Sequence, residues 1–327
     1  MEILSNLAVA FGNELSSPLS LALILVGVMV GFTFGATPGL TATMGVALFI
    51  PLTFPLPPDM AISMMIALYC GSMAGGAIPA ILINIPGTPS AVVTTIDGYP
   101  MTKNGRAVEA YGWALVASVV GGIVAWVALV SLAPALARLA LKLGSAEYAA
   151  VAFLGLATIS SVAPPPLANG VLAPVTRLRR SVGGFAHITA QGRWTFDSLQ
   201  LTRGIGIMPA LIGLLVIPEL MMTLFQREAH AEAPKTVKGM FPTLAGFLGQ
   251  LVNMIRSSVI GVVTGIIPAL GGSVGALIAY DQAKRFSKNR DNFGKGEPEG
   301  VVASERANNG VTGGALIPLL TLGIPGD

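Results

Sequence analysis

The sequence predicts an all-α, polytopic membrane protein with two inverted repeats that contain broken or re-entrant helices. Of its 327 residues, 53% are hydrophobic and 11% are charged, whereas a soluble domain has roughly 25% charged residues. The uncharged runs that reach the roughly 20 residues of a spanning helix lie at 15–58, 60–96, 110–137, 148–176 and 257–280. Gly and Pro recur within these runs and interrupt helices. The runs therefore predict several membrane helices, some of them broken.

The first predicted break has the same spacing of Gly and Pro in both halves of the chain. The segment GFTFGATPGLTAT places Gly31, Gly35 and Pro38 at spacings of four and three residues, and GVVTGIIPALGGS repeats these spacings from Gly261. Matching spacing at two distant places is typical of an internal repeat. The breaks predicted from it lie at 35–43 and 265–273.

A second predicted break follows in each half and ends in Ile-Pro-Gly. The segment GGAIPAILINIPGT has prolines seven residues apart, and GGALIPLLTLGIPGD repeats this separation. These breaks lie at 84–88 and 323–327. Close packing of small residues in membrane helices explains any single glycine, but it does not explain two ordered pairs of matching motifs. The pattern favours a duplicated unit.

The charges of the connecting loops indicate how the two halves are oriented. Between the breaks of the first half, PLTFPLPPDM has no basic residue, whereas AKRFSKNRDNFGKGEPEG in the second half has five. The positive-inside rule places the second loop in the cytoplasm and the first outside, which predicts inversion. Residues 281–306 and the segment DGYPMTKNGRA are interpreted as solvated loops. Because the basic residues lie in such loops, the pI of about 9.1 does not indicate nucleic-acid binding.

Broken helices at membrane depth indicate a buried site or a wet cavity. An unpaired peptide group in hydrocarbon is costly, so irregular backbone persists only inside protein or beside water. A helix that begins at a break presents N–H groups to an anion, and one that ends there presents carbonyl groups to a cation. The polar and small residues around the breaks are Thr41 and Thr43; Asn84, Thr88 and Ser90; Gly271, Gly272 and Ser273; and Asn308, Asn309 and Thr312.

Residues suited to catalysis are sparse in the apolar runs. The two histidines, His187 and His230, lie in polar stretches, and the chain has no H-E-x-x-H motif. Glu219 follows Pro218 near the end of an apolar run and is interpreted as an interface residue. The chain also has no G-x-x-x-x-G-K-[ST] motif for ATP. The sequence predicts that the protein is not an enzyme, while a passive channel stays an alternative because broken repeats also line channels.

Four segments, in order over most of the chain, carry a family resemblance. They are GATPGLTATMGVALFIPLTFPLPP, YCGSMAGGAIPAILINIPGTPSAVVTTIDGYPMTKNGRA, RWTFDSLQLTRGIGIMPALIGLLVIPELM and GIIPALGGSVGALIAYDQAKRFSKNRDNFGKGEPEGVVASERANNGVTGGALIPLLTLGIPGD. Together they resemble the large membrane subunit (TctA type) of the tripartite tricarboxylate transporter family. The last segment is the longest and the most specific of the four.

The resemblance implies a multi-pass permease of the bacterial cell inner membrane. Such a permease takes up a tricarboxylate, such as citrate, or a related carboxylate by symport with sodium or protons, and no other cofactor is implied. The implied partners are a small membrane subunit, a periplasmic solute-binding protein, the carboxylate substrate and the lipid bilayer.

The resemblance also implies where the substrate and the ion bind. Pro-Gly motifs of the family match Pro38-Gly39, Pro86-Gly87 and Pro325-Gly326. The substrate- and ion-binding residues predicted from these motifs and their neighbours are Pro38, Gly39, Thr41, Thr43, Asn84, Pro86, Gly87, Thr88, Pro268, Gly271, Gly272, Ser273, Asn308, Asn309, Pro325 and Gly326. A sodium site is expected at the backbone near Gly35, Gly87 and Gly265, without assigned ligands, and no catalytic residue is expected.

Three parts of the chain are predicted: a first-repeat transport core (1–110), connecting helices with a polar loop (111–240), and a second-repeat core (241–327). The second core is expected to be incomplete, because sequences of this family continue further. The stretch 173–203 is atypical, since Arg177, Arg179 and Arg180 lie close together. Each Arg at the bilayer centre costs at least about 2.5 kcal/mol, so this stretch is not expected to span. An inactive truncated copy of the permease and a passive anion channel therefore stay as alternatives.

Overall fold

The computed structural model describes residues 2–142, 241–267 and 270–323, with isolated residues between 144 and 221. The helices in these residues are α1 (Glu2–Ser16), α2 (Pro18–Ala36), α3 (Ala42–Thr53), α4 (Pro58–Gly75), α5 (Ala77–Ile83), α6 (Val92–Lys103), α7 (Ala107–Ala140), α8 (Leu244–Gly249), α9 (Leu251–Ile266), α10 (Gly271–Phe286) and α11 (Pro298–Leu322). Single 3-10 turns lie at Pro89–Ala91 and Arg290–Asn292, and β1 (Gly184–Phe185) pairs antiparallel with β2 (Gly192–Arg193). Apart from this short pairing, the predicted all-α class is confirmed. The rest of the atypical stretch 173–203 lies outside the described residues.

Three of the described helical segments are long and apolar enough to cross a membrane. They are α2, the adjoining α4 and α5 (Pro58–Ile83), and Ala107–Arg138 within α7, with mean hydropathies of 2.3, 1.8 and 2.4. Helices α3 and α9 are shorter apolar helices. These helices fit the predicted polytopic membrane protein. In an 18-residue window of each segment, 61% of the residues are buried in α4 and α5, against 22% in each of the other two. The α4 and α5 segment therefore lies in the interior of the bundle.

The first break of each half lies where the sequence predicts it. Helix α2 ends at Ala36, and α3 begins after Thr41, whose hydroxyl accepts a hydrogen bond from the Met44 N–H over 3.2 Å. Between them Gly39 has a φ of 87°, a left-handed conformation that favours glycine. In the second half α9 ends at Ile266 and α10 begins at Gly271.

The second break is also confirmed as far as the structure describes it. Helix α5 ends at Ile83 and is capped by Asn84, which has a φ of 60°, and helical structure resumes at Pro89. Asn is the residue that most often replaces Gly in this left-handed capping position. Helix α11 ends at Leu322 and is capped by Gly323, which has a φ of 70°. The residues beyond Gly323 lie outside the described part of the chain.

Glycines bring α2 and α4 into backbone contact. A side chain on Gly31 would overlap the Leu68 carbonyl group of α4, and one on Gly35 would overlap that of Ser72. The Ser72 hydroxyl donates to the Gly31 carbonyl over 2.9 Å. Gly31 faces Leu68 and Gly35 faces Ser72, so α2 and α4 run parallel. Helix α3, which lies between them in the sequence, runs in the return direction.

The second half repeats this arrangement. Side chains on Gly261 and Gly265 of α9 would overlap the backbone of α11 at Ala307 and Val311. These helices also run parallel, with α10 as the returning element. The two halves thus share a packing scheme as well as a motif order, while the opposite orientation of the halves stays a prediction.

Replacing Gly31 by alanine is expected to destabilise the protein by about 1–3 kcal/mol, because the added methyl group overlaps backbone that cannot move aside. Gly122 of α7 is the matched control, since no atom lies within 4 Å of the methyl group that its replacement would add. Gly122→Ala should be neutral or stabilising by up to about 1 kcal/mol through helix propensity. Thermal unfolding in detergent measures both, and equal shifts would contradict the packing described above.

Two basic segments from different halves of the chain meet in the structure. Asn104 Nδ2 donates to the Lys295 carbonyl group and Arg106 Nη1 to that of Gly296, both over 3.4 Å. Arg106 also pairs with Glu109 at 2.7 Å, and this hydrogen bond raises the pKa of Arg106. The end of α6 and the loop between α10 and α11 therefore share one face. That this face is cytoplasmic stays a prediction.

The interpretation of two charged segments as solvated loops is wrong. Most of DGYPMTKNGRA lies in α6, where Asp97 is 1% exposed. Within 281–306 only 287–297 separates α10 from α11, and Glu305 and Arg306 are buried in α11. Charge alone does not distinguish a solvated side chain from one that finds its polar partners on distant helices.

Candidate functional site

The two breaks of the first half lie against each other. The Gly87 N–H donates to the Gly76 carbonyl group over 3.2 Å, and a side chain on Gly87 would overlap the Gly35 carbonyl group. Only glycine allows two stretches of backbone to approach so closely. Two of the three glycines near which a sodium site is predicted are thus in contact, while Gly265 packs against α11.

The second break of the first half also meets the first break of the second half. A Cβ atom on Gly272, in the first turn of α10, would lie 2.8 Å from Asn308 Oδ1 and 2.9 Å from Ser90 Cβ. Ser90 follows the break at 84–88, and Asn308 lies within α11. Three elements distant in sequence therefore converge on the N-terminus of α10. We call Ser90, Gly272 and Asn308 the junction site.

The Asn308 side chain is buried at the junction site without a hydrogen-bond partner among the described residues. It is 1% exposed, and neither Nδ2 nor Oδ1 makes a hydrogen bond there. The amide lies beside the carboxyl group of Glu305, one turn earlier, but without the geometry of a hydrogen bond. An unpaired buried polar group costs about 1–3 kcal/mol, and each such group in a native protein needs an explanation. A ligand at the junction site would supply the missing partner.

Hydroxyl and peptide groups surround the junction site. Thr88 Oγ1 lies 3.1 Å from Ser90 Oγ, and both residues are buried. The first turn of a helix presents N–H groups and a partial positive charge, and no side chain of the described residues caps this end of α10. Uncharged hydroxyl, amide and peptide groups therefore meet at the junction site, and the N–H groups of a helix N-terminus suit a carboxylate.

Three of the predicted site residues, Thr43, Asn84 and Ser273, are exposed. Ser273 lies in a G-x-S-x-G pattern at 271–275, the sequence of a hydrolase nucleophile elbow, which joins a strand to a helix. Here the pattern follows a helix break and opens α10. This context does not match a nucleophile elbow.

Other predicted site residues have structural roles or lie elsewhere. Thr41 caps α3, Pro38 and Gly39 form the turn before it, Pro86 lies in the unwound segment before Thr88, Gly271 begins α10 with a φ of 60°, and Asn309 donates to Ser118 of α7 over 2.8 Å. Pro268, Pro325 and Gly326 lie outside the described residues. The structure brings Thr88, Gly272 and Asn308 together, along with Ser90.

A buried polar network beside the junction site was missed in the sequence. Thr94 Oγ1 of α6 donates to Glu305 Oε1 over 2.5 Å, and Ser118 Oγ of α7 donates to Glu305 Oε2 over 3.4 Å. A sequence signal exists, because the polar residues of α11 recur on one helical face at positions 304, 305, 308, 309 and 312. This signal was not recognised because residues 281–306 were interpreted as a solvated loop.

Asp97 joins the two halves at one end of the bundle. Its Oδ1 accepts hydrogen bonds from the N–H groups of Gly294, Gly296 and Glu297 over 2.8–2.9 Å, and Oδ2 accepts one from the Tyr280 hydroxyl over 2.8 Å. Both glycines have positive φ, which lets successive N–H groups face one anion. Asp97 thereby fixes the loop from which α11 begins.

Comparison with known proteins identifies the family. A match described as "Tripartite tricarboxylate transporter TctA family" covers residues 21–327. The chain belongs to this family. The resemblance read from the sequence motifs is thereby confirmed.

This TctA-family chain has relatives in Agrobacterium vitis. It is 35% identical over 268 residues to an uncharacterized 52.8 kDa protein in the TAR-I ttuC' 3' region, which is 82% of this chain and 53% of that protein. It is 43% identical over 65 residues to an uncharacterized protein in the TAR-II ttuC' 3' region, which is 20% of this chain and 27% of that protein. The match thus spans about half the length of the first relative. No solved structure matches the chain.

Proposed function

We propose that this chain provides the transport core of a permease that takes up a tricarboxylate or a related carboxylate across the bacterial inner membrane. The observation that carries the proposal is the side-chain amide of Asn308, which lies beside the first turn of α10 and has no hydrogen-bond partner among the described residues. A buried amide without a partner suits a ligand that arrives and departs. A purely structural amide would be paired permanently.

A carboxylate group fits the donors around Gly272. Its oxygens accept hydrogen bonds from Asn308 Nδ2, from the Ser90 hydroxyl and from the first N–H groups of α10. Hydrogen bonds to a charged group contribute about 1.5–3 kcal/mol each, which offsets part of the cost of removing the anion from water. Because Gly272 has no side chain, Asn308 and Ser90 approach the first turn of α10 closely.

The division of the donors between the two halves supports transport. Ser90 belongs to the first repeat, whereas Gly272 and Asn308 belong to the second. A movement of one half against the other separates the donors and releases the anion on the opposite side. Coupling to sodium or protons, and delivery by a periplasmic solute-binding protein with a small membrane subunit, complete the proposal.

Uptake by vesicles tests this function. Vesicles that contain the full-length permease with its partner subunits are given labelled citrate or other carboxylates, with and without sodium and pH gradients. Accumulation above the external concentration is expected only when a cation gradient is imposed. Equilibration that stops at the external concentration would instead indicate a passive anion channel, and no uptake of any carboxylate would indicate an inactive copy.

A further inference from the structure

Glu305 is a carboxyl group buried in the middle of the bundle, one helical turn before Asn308. It is 0% exposed and lies between α6 and α7, which contribute the Thr94 and Ser118 hydroxyl groups that donate to it. Thr94 also lies 3.2 Å from the Ser304 hydroxyl. The immediate surroundings of the carboxyl group are therefore polar but neutral.

No cationic side chain in the described part of the chain pairs with Glu305. Arg306 is 100° further around α11, where its Nε donates to the Met254 carbonyl group and the Ser258 hydroxyl of α9, both over 2.6 Å. The ion pairs within the described residues are Arg106–Glu109 and Arg285–Asp281. A carboxylate this deeply buried without a counter-charge is very costly, so Glu305 requires a neutralising partner.

Other ionisable groups on the helices around Glu305 do not supply that partner. They include Tyr111 on α7, Asp97 on α6, Tyr280 on α10, Arg256 on α9 and Cys70 on α4. Asp97 and Tyr280 are hydrogen-bonded to each other, and Arg256 Nη2 donates to Asn253 Oδ1 over 3.1 Å. Tyr111 and Cys70 are neutral in their protonated forms.

The spacing of the surrounding oxygens favours a proton over a metal cation as the neutralising partner. A hard cation takes about six oxygen ligands around itself, which holds those oxygens apart. Here Thr94 Oγ1 lies 2.5 Å from the carboxyl oxygen, a direct hydrogen bond with no space for an ion between the two atoms.

We propose that Glu305 binds the proton that is transported with the carboxylate, an inference that rests on the proposed function. A proton from water on the uptake side forms the O–H bond of the Glu305 carboxyl group and is released to water on the cytoplasmic side. The anion at the junction site lies about one helical turn from Glu305, so an ionised Glu305 repels it. Like charges at this separation weaken binding by about tenfold or more, which links anion binding to proton binding.

Glu305→Gln in the complete transporter tests the proposal, because glutamine keeps the shape and stays neutral. Exchange of labelled for unlabelled carboxylate is expected to persist, whereas accumulation driven by a pH gradient is lost. The matched control is Glu299→Gln on the same helix, which should keep the response to the pH gradient. Normal pH-driven accumulation by the Glu305→Gln protein would overturn the proposal.

A second measurement uses the unaltered transporter and does not depend on the folding of a variant. Addition of carboxylate to vesicles with a trapped pH dye should acidify the interior as substrate enters. Carboxylate uptake driven by sodium alone, with no proton movement, would overturn the assignment of Glu305 and leave the proposed function intact. Absence of both uptake and exchange would count against the proposed function itself.

Discussion

The Asn308→Ala variant is expected to lose at least about 90% of carboxylate uptake without a loss of thermal stability. Alanine removes two buried polar atoms that have no partner among the described residues, so folding should be unaffected or favoured by about 1 kcal/mol. Uptake should fall because the loss of one hydrogen bond to a charged ligand weakens binding by about 10- to 100-fold. Vesicle uptake and thermal unfolding of the same preparation measure the two effects.

Asn309→Ala is the control for this variant at the neighbouring position. The Asn309 amide donates to the Ser118 hydroxyl over 2.8 Å and to the Glu305 carbonyl group over 2.9 Å. Its removal should lower the unfolding temperature, while carboxylate affinity in the remaining folded protein stays close to normal. If Asn308→Ala were the unstable variant and transported normally, the junction site would be refuted.

The breaks of the helices were predictable from the sequence because they depend on local chemistry. Gly and Pro disfavour helix wherever they occur, so the motifs around Pro38 and Pro86 located the ends of α2 and α5 without knowledge of the fold. The repeat was visible for the same reason. The glycines whose spacing revealed the repeat lie where α2 contacts α4 and where α9 contacts α11.

The composition of the junction site was only partly predictable. Sequence reasoning treated all residues around a break as equivalent, but Thr41 forms a helix cap and Thr43 is exposed, whereas Asn308 is buried and has no hydrogen-bond partner in the described part of the chain. The distinction depends on which helix packs against which side chain. That packing is a property of the tertiary structure.

The buried charges were misjudged for a related reason. Asp97 and Glu305 lie in or near charged segments that have the composition of a solvated loop. Their partners come from segments about 200 residues away, at 294–297 for Asp97 and at Thr94 for Glu305. A single sequence gives no measure of such distant contacts.

Asp97→Ala is expected to cause the largest loss of stability. The substitution leaves three loop N–H groups, two of them on buried residues, and the Tyr280 hydroxyl without their acceptor, and each buried group that loses its partner costs about 1–3 kcal/mol. The loop 287–297 should then detach from α6. Because this loop contains Lys288, Arg290 and Lys295, limited trypsin digestion should cut it faster in the variant.

Two controls separate the role of the Asp97 carboxylate from general effects of substitution. Tyr280→Phe removes one of the four hydrogen bonds to Asp97, so it should cost only about 1–2 kcal/mol and leave the loop resistant to trypsin. Asp291→Asn alters an exposed carboxylate in the same loop and should change neither property. In the structure, the backbone N–H groups of the loop bind the Asp97 carboxylate. If the Asp97→Ala protein kept its resistance to trypsin, side-chain packing rather than this carboxylate would position the start of α11.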